Sequence, residues 1–175
     1  AKVSRLARTI DIAPTLLDVL GLPPEPRFEG NSLAPYLSEP QGDMSIAFFG
    51  ETSYLFFKRQ VPNAEPLSIA PLEQTTQIDP EFNYHFVLKN TFEEDVLRTK
   101  ERCLRTEHWK LVFTPGVHHD IWRLFDLRTA PHCERDIKLQ NPQVWQRMEE
   151  KLRLWVDQKR QSTIREIFPE GEPDA

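Results

Sequence analysis

Apolar residues recur at two different periods along the chain, and the periods sort it into helical and extended parts. Near the start, Leu16, Leu17, Val19 and Leu20 supply the apolar side of a short helix. Asp11 is the expected cap, Pro14 fits the first turn, where its missing N–H costs nothing, and Gly21 is the expected stop. Leu22-Pro-Pro-Glu-Pro26 cannot extend that helix. A surface segment follows, with Gly30 at a turn and Leu33, Tyr36 and Leu37 pinning it down. Met44 to Thr52 is apolar, aromatic and β-prone, and predicts a strand. Arg102 to Thr106 and Trp109 to Thr114 predict a hairpin that Pro115-Gly116 ends, and Ile121 to Leu127 adds a further strand. Asn141-Pro142 starts a helix in which Val144, Trp145, Met148, Leu152, Trp155 and Val156 form one apolar stripe. Together these elements predict an α+β fold: a small antiparallel sheet of about four strands packed by a long C-terminal helix.

The stretch from 58 to 95 breaks the pattern. Pro62, Pro66, Pro71 and Pro80 interrupt it, and it reads as a long excursion with one short helix, not as a separate domain. Fifteen prolines against six glycines favour stiff connections over continuous regular structure. Residues 169–175 read as a frayed acidic tail. A hydrophobic fraction of 39% with 28% charged residues is that of an ordinary globular chain. The net charge of −5 argues against nucleic acid as a partner, since phosphate binding needs clustered Lys and Arg. Basic runs such as Lys151-Leu-Arg153 are diluted by acidic neighbours and predict a solvated helix face. No apolar run reaches the roughly 18 to 20 residues that span a bilayer, so no membrane contact is expected. Cys103 and Cys133 are expected as free thiols, and the compartment stays open.

Several phrases carry a resemblance. Asp11-Ile-Ala-Pro-Thr-Leu-Leu17 with Gly21, then Gly30-Asn-Ser-Leu33 with Pro35 and Leu37, are similar to the stretch that closes the catalytic domain of sulfatases, in the alkaline-phosphatase superfamily. Arg105-Thr-Glu-His-Trp-Lys-Leu111 resembles the family's Arg-Thr-x-x-Tyr-Lys-Leu strand pair, and Leu124-Phe-Asp-Leu127 its Leu-Tyr-Asp-Leu signature. Ala130-Pro-His-Cys-Glu-Arg-Asp136 keeps the proline of the phrase that follows but departs from its usual Asp and Glu, which puts the local turn hydrogen bonds in question. The matches fall in order over residues 1–37 and about 100–157.

The resemblance implies that residues 1–40 end an α/β catalytic domain. Residues 41–168 would form the C-terminal α+β subdomain, with a Pro-rich insertion at about 58–95. It also implies what this chain lacks. The family's nucleophile is a formylglycine made from Cys or Ser in Cys/Ser-x-Pro-x-Arg, and neither Cys103-Leu-Arg nor Cys133-Glu-Arg-Asp has that context. A calcium ion held by Asp and Asn oxygens polarises the sulfate. Both calcium and formylglycine are expected in a catalytic part outside this chain, and no catalytic or metal-ligating residue is assigned here.

What remains is one wall of a substrate cleft. Glu51 at a strand end, and His118 and His119 in a loop between strands, are the substrate-binding candidates. A solvated strand end and an exposed turn are their plainer readings. Tyr54, Phe56 and Phe57 are expected to bury against the catalytic part. A zinc site from His118, His119, His132 and Cys133 has poor ligand spacing. The expected function is that of a C-terminal piece of a sulfate-ester hydrolase. The alternatives are a related phosphate or phosphonate ester hydrolase, or a non-catalytic binding module. The expected partner is the catalytic domain, with self-association through residues 10–21 in its absence.

Overall fold

The computed structural model describes residues 2–42, 44–53 and 60–157. Their elements are α1 (Ile12–Val19), α2 (Pro35–Ser38), β1 (Phe48–Glu51), α3 (Leu72–Thr75), β2 (Thr76–Asp79), β3 (His85–Leu88), α4 (Glu93–Thr99), β4 (Arg102–Arg105), β5 (Trp109–Thr114), β6 (Ile121–Asp126) and α5 (Pro142–Asp157). Strands β1, β4, β5 and β6 form a four-stranded antiparallel sheet in that order, and β2 pairs with β3 in a separate two-stranded sheet. The fold is α+β. Two compact units divide the chain, one drawn from 1–49, 104–111 and 124–175, the other from 50–103 and 112–123. All four strands of the larger sheet contribute residues to both.

In the first unit, Leu104, Leu111, Leu124 and Leu152 are almost wholly out of water, and Trp109, Phe125 and Met148 join them in the core. Helix α5 begins at Pro142, and the Trp145 N–H reaches the Asn141 carbonyl at 3.0 Å. Proline is favoured at that position because the first helical N–H has no partner inside the helix. The α5 stripe then turns Met148 and Leu152 inward, and Trp155 meets Phe49 of β1 with ring centroids 5.4 Å apart.

The hairpin of β4 and β5 is closed by Thr106. Its N–H donates to the Trp109 carbonyl at 2.9 Å, and its hydroxyl accepts from the Trp109 N–H at 3.2 Å. Asp136 fastens the segment after β6. Its carboxylate accepts from the Leu124 N–H at 3.0 Å and the Lys138 N–H at 3.1 Å, while the Ile137 N–H returns to the Leu124 carbonyl at 2.9 Å. The departures at Ala130 and Cys133 therefore leave this turn bonded: the Ala130 N–H bonds the Asp126 carbonyl, and the Cys133 N–H the Ala130 carbonyl. Arg128 bonds Asp126 and lies over the Trp109 ring, 4.9 Å from its centroid.

Three expectations need correction. The strand expected over Met44 to Thr52 is only Phe48–Glu51, because Ser45 takes left-handed backbone at φ 48° and breaks the extension. Asp11 makes no cap bond to α1 and is instead a buried anchor. The stretch read as an excursion is, over its described residues 60–95, more ordered than its prolines suggest. Pro71 precedes α3 and Pro80 opens the short 3-10 turn between β2 and β3, so these prolines start elements rather than break them. Cys103 and Cys133 are half-buried and not joined in a disulfide. No described helix is long and apolar enough to cross a membrane. The tail at 169–175 lies outside the described residues.

Candidate functional site

The two opening phrases form one built arrangement, held by polar side chains against backbone. Asp11 is completely buried. Its carboxylate takes the Arg8 N–H at 2.8 Å, the Arg8 guanidinium at 2.7 Å and the Asn31 N–H at 2.9 Å. Arg8 also donates to the Ala47 carbonyl at 2.8 Å and the Asn31 side-chain oxygen at 3.3 Å. One turn later the Thr15 hydroxyl donates to the Asp11 carbonyl at 2.6 Å and accepts the Leu33 N–H at 2.9 Å. Ser32 donates to Asp18 at 2.5 Å. Helix α1 and the 30–33 segment are thus joined rung by rung.

Gly30 makes the close approach possible, since a Cβ there would sit 2.0 Å from the Ile10 carbonyl oxygen. Gly21, at φ 67°, ends α1, with the Leu22 N–H on the Leu17 carbonyl at 2.9 Å. The apolar side of the helix is left outside. No residue of α1 is buried, and Leu16, Val19 and Leu20 are more than half exposed. A pocket of about 290 Å³ opens beside it, walled by Leu17, Leu22 and Phe28 with Asp18 and Glu25 among its lining. Glu25 is bonded by Arg27, which holds its carboxyl below the usual range. Asp18 adds negative charge to the lining, which disfavours an anionic ester there.

The substrate-wall candidates lie in the second unit. Glu51 is half-buried against two cations, with Lys100 Nζ at 2.8 Å and Arg102 Nε at 3.8 Å. Burial holds the Arg102 guanidinium below its ordinary value, and the Glu51 charge offsets only part of that. Beside this pair, Glu101 accepts from Thr114 at 2.5 Å and from Arg123 at 3.2 Å. Glu51 is therefore the anionic member of a charged cluster rather than a solvated strand end. His118 is exposed, 3.9 Å from Glu65, and His119 is exposed in the same loop. That loop is anchored by the Val117 N–H on the Glu65 carbonyl at 2.9 Å and by Leu67 on Pro115 at 2.8 Å.

Sequence reasoning missed Lys100 and Arg102, whose spacing from Glu51 carries no local signal. Tyr54, Phe56 and Phe57 lie outside the described residues. Among the described residues no group of three or more His, Cys, Asp or Glu side chains is gathered to hold a metal. The donor set for calcium is thus not assembled among them, and no step through a metal is assigned to this chain.

No family model matches the chain, and no curated protein does. Solved structures are similar in fold. One is BT4656 in complex with its substrate D-glucosamine-2-N,6-O-disulfate, 18% identical with a TM-score of 0.49, where 90% of this chain covers 25% of that one. Another is the phosphonate monoester hydrolase SpPMH from Silicibacter pomeroyi, 20% identical with a TM-score of 0.45, where 88% covers 25%. The chain spans about a quarter of the length of these structures. Similarity at this level carries no conclusion about chemistry.

Proposed function

We propose that the chain is the C-terminal region of a sulfatase-type hydrolase whose whole protein cleaves sulfate esters to an alcohol and sulfate. The observation that carries this reading is the state of α1. The polar residues of its sulfatase-like phrase are consumed in holding the 30–33 segment, while its apolar side has no cover within its own unit. A helix built this way is suited to close an α/β layer, and the catalytic domain is the partner proposed for that face. Without it, self-association through residues 10–21 is proposed instead.

The role proposed for the sheet is one wall of the substrate cleft. His118 and His119 are free of burial and can meet a substrate, and Glu51 would set the positions of Lys100 and Arg102, cations suited to an anionic ester. The nucleophile and calcium are assigned to the catalytic part. The test is the whole gene product, matured with its formylglycine, offered aryl and sugar sulfates beside phosphate and phosphonate esters. Sulfate release is expected, with a higher KM in the His118→Ala/His119→Ala variant. Turnover of phosphate or phosphonate esters alone would move the assignment to the related hydrolases. No turnover of any ester, with no Cys/Ser-x-Pro-x-Arg encoded upstream, would favour a binding module.

A further inference from the structure

The antiparallel order β1-β4-β5-β6 places the ends of β1 and β5 beside the starts of β4 and β6. One end of the sheet therefore gathers Glu51, which closes β1, Arg102, which opens β4, and the loop after β5 that carries His118 and His119. Glu101 stands just before β4, between Lys100 and Arg102 in the chain, and joins this end together. Its backbone is tied to the residue after β1: the Thr52 N–H donates to the Glu101 carbonyl at 2.9 Å, and the Glu101 N–H donates to the Thr52 hydroxyl at 3.0 Å. Its carboxylate reaches the other two strands, accepting from the Thr114 hydroxyl of β5 at 2.5 Å and the Arg123 guanidinium of β6 at 3.2 Å. The Glu101 side chain is only 13% exposed, so water competes little for these charge-assisted bonds.

Thr114 is also where the histidine loop joins the sheet. The Leu67 N–H donates to the Pro115 carbonyl at 2.8 Å and the Val117 N–H to the Glu65 carbonyl at 2.9 Å. A Cβ on Gly116 would stand 2.1 Å from the His119 carbonyl oxygen, so the loop is closed as tightly as backbone allows. His118 and Glu65 are 3.9 Å apart and both more than half exposed, and such a pair does little to orient an imidazole. The backbone clamp orients it instead, and a shift at Thr114 is carried into the loop.

We propose that Glu101 is the positioning residue of this sheet end. By holding β4 to β5 and β6 it sets the spacing between the Glu51, Lys100 and Arg102 cluster and the His118–His119 loop, so that both can meet one ligand. The proposal rests on the substrate-wall reading of that end. Glu101 itself touches no substrate in this account; it keeps two binding groups at a fixed separation before the ligand arrives.

The test compares the whole gene product, matured with its formylglycine, with Glu101→Ala, Glu101→Gln and the His118→Ala/His119→Ala variant, each checked for folding by circular dichroism. Glu101→Ala is expected to raise the KM for para-nitrophenyl sulfate at least about tenfold, with kcat within about threefold. Glu101→Gln, whose amide oxygen can still accept the Thr114 hydroxyl, is expected to recover part of that loss. Added to the histidine double variant, Glu101→Ala is expected to raise KM by less than about threefold more, because residues that act through one another do not contribute independently. Hydrogen exchange gives a readout that needs no ester. Segments 64–70 and 114–120 are expected to exchange at least about tenfold faster in Glu101→Ala, with 76–88 unchanged. Unchanged exchange in 114–120 would overturn the proposal, and so would KM effects that simply multiply. Faster exchange in a protein that turns over no ester, or whose KM is the same in every variant, would uphold the coupling and overturn the substrate-wall reading.

Discussion

Helices α1 and α5 both read as amphipathic in the sequence, yet opposite faces of the two are put to work. In α5, Met148 and Leu152 are buried and Trp155 packs on Phe49. In α1 nothing apolar is buried, and the anchors are Asp11, Thr15 and Asp18. Helix α5 is held by removing apolar surface from water, a non-directional force that scales with area. Helix α1 is held by directional hydrogen bonds of its polar side chains, in which a single lost partner strands a buried polar atom. Amphipathic periodicity thus shows that a helix has two faces without showing which one its own chain covers.

Breaking the α1 anchor should have the largest effect. Asp11→Ala leaves the Arg8 guanidinium buried without its counter-charge and should cost about 3–5 kcal/mol in urea unfolding. An Arg8→Met/Asp11→Leu double variant should recover most of that loss; if it does not, the Asn31 contact matters more than the charge. Leu152→Ala attacks the other helix through its core and should cost about 2–5 kcal/mol, the cavity adding to the lost burial. A loss below about 1 kcal/mol would show that α5 is not held by its buried apolar stripe.

Gly30→Ala comes next, at about 1–3 kcal/mol, because the added methyl meets a backbone carbonyl that cannot swing away. Thermal melting should read this as a drop of several degrees, and an unchanged Tm would mean that α1 and the 30–33 segment can slide apart freely.

A smaller effect should follow pH. The Arg128 hydrogen bond holds the Asp126 carboxyl below its ordinary range, so its folded pKa lies under the unfolded one. The pair's stability is then present above the unfolded value and lost as pH falls through the folded one, below about pH 4. At about 1 kcal/mol or less it should appear as a slightly shallower acid limb in Asp126→Asn. Last, Leu16→Ser should change the stability of this chain by no more than about 0.5 kcal/mol. A loss of several times that would show that the α1 face is already covered at home.

Much of the architecture was legible. The stripe of α5, the β4–β5 hairpin and the stop at Gly21 follow from local periods and turn chemistry, which act within a few residues. The short β1 and the β2–β3 hairpin were not legible. Ser45 takes a left-handed φ with no glycine to announce it, and Pro71 and Pro80 look like breakers although they open elements. Of the candidate site, the exposure of His118 and His119 could be read from their loop. The fate of Glu51 could not, because its partners Lys100 and Arg102 arrive from 49 and 51 residues further on.

By itself the sequence determined α1, the β4–β5 hairpin, β6 and α5, the α+β class and the phrases that resemble a sulfatase, since each depends on residues close together in the chain. Only the tertiary structure decided that Asp11 is a buried anchor and not a cap, that Glu51 faces two cations, and that the ring of Phe86 stands in water. Those outcomes depend on which distant groups meet. A carboxylate in water and one buried against a guanidinium are the same letter in the sequence, and burial with a partner separates them by several kcal/mol.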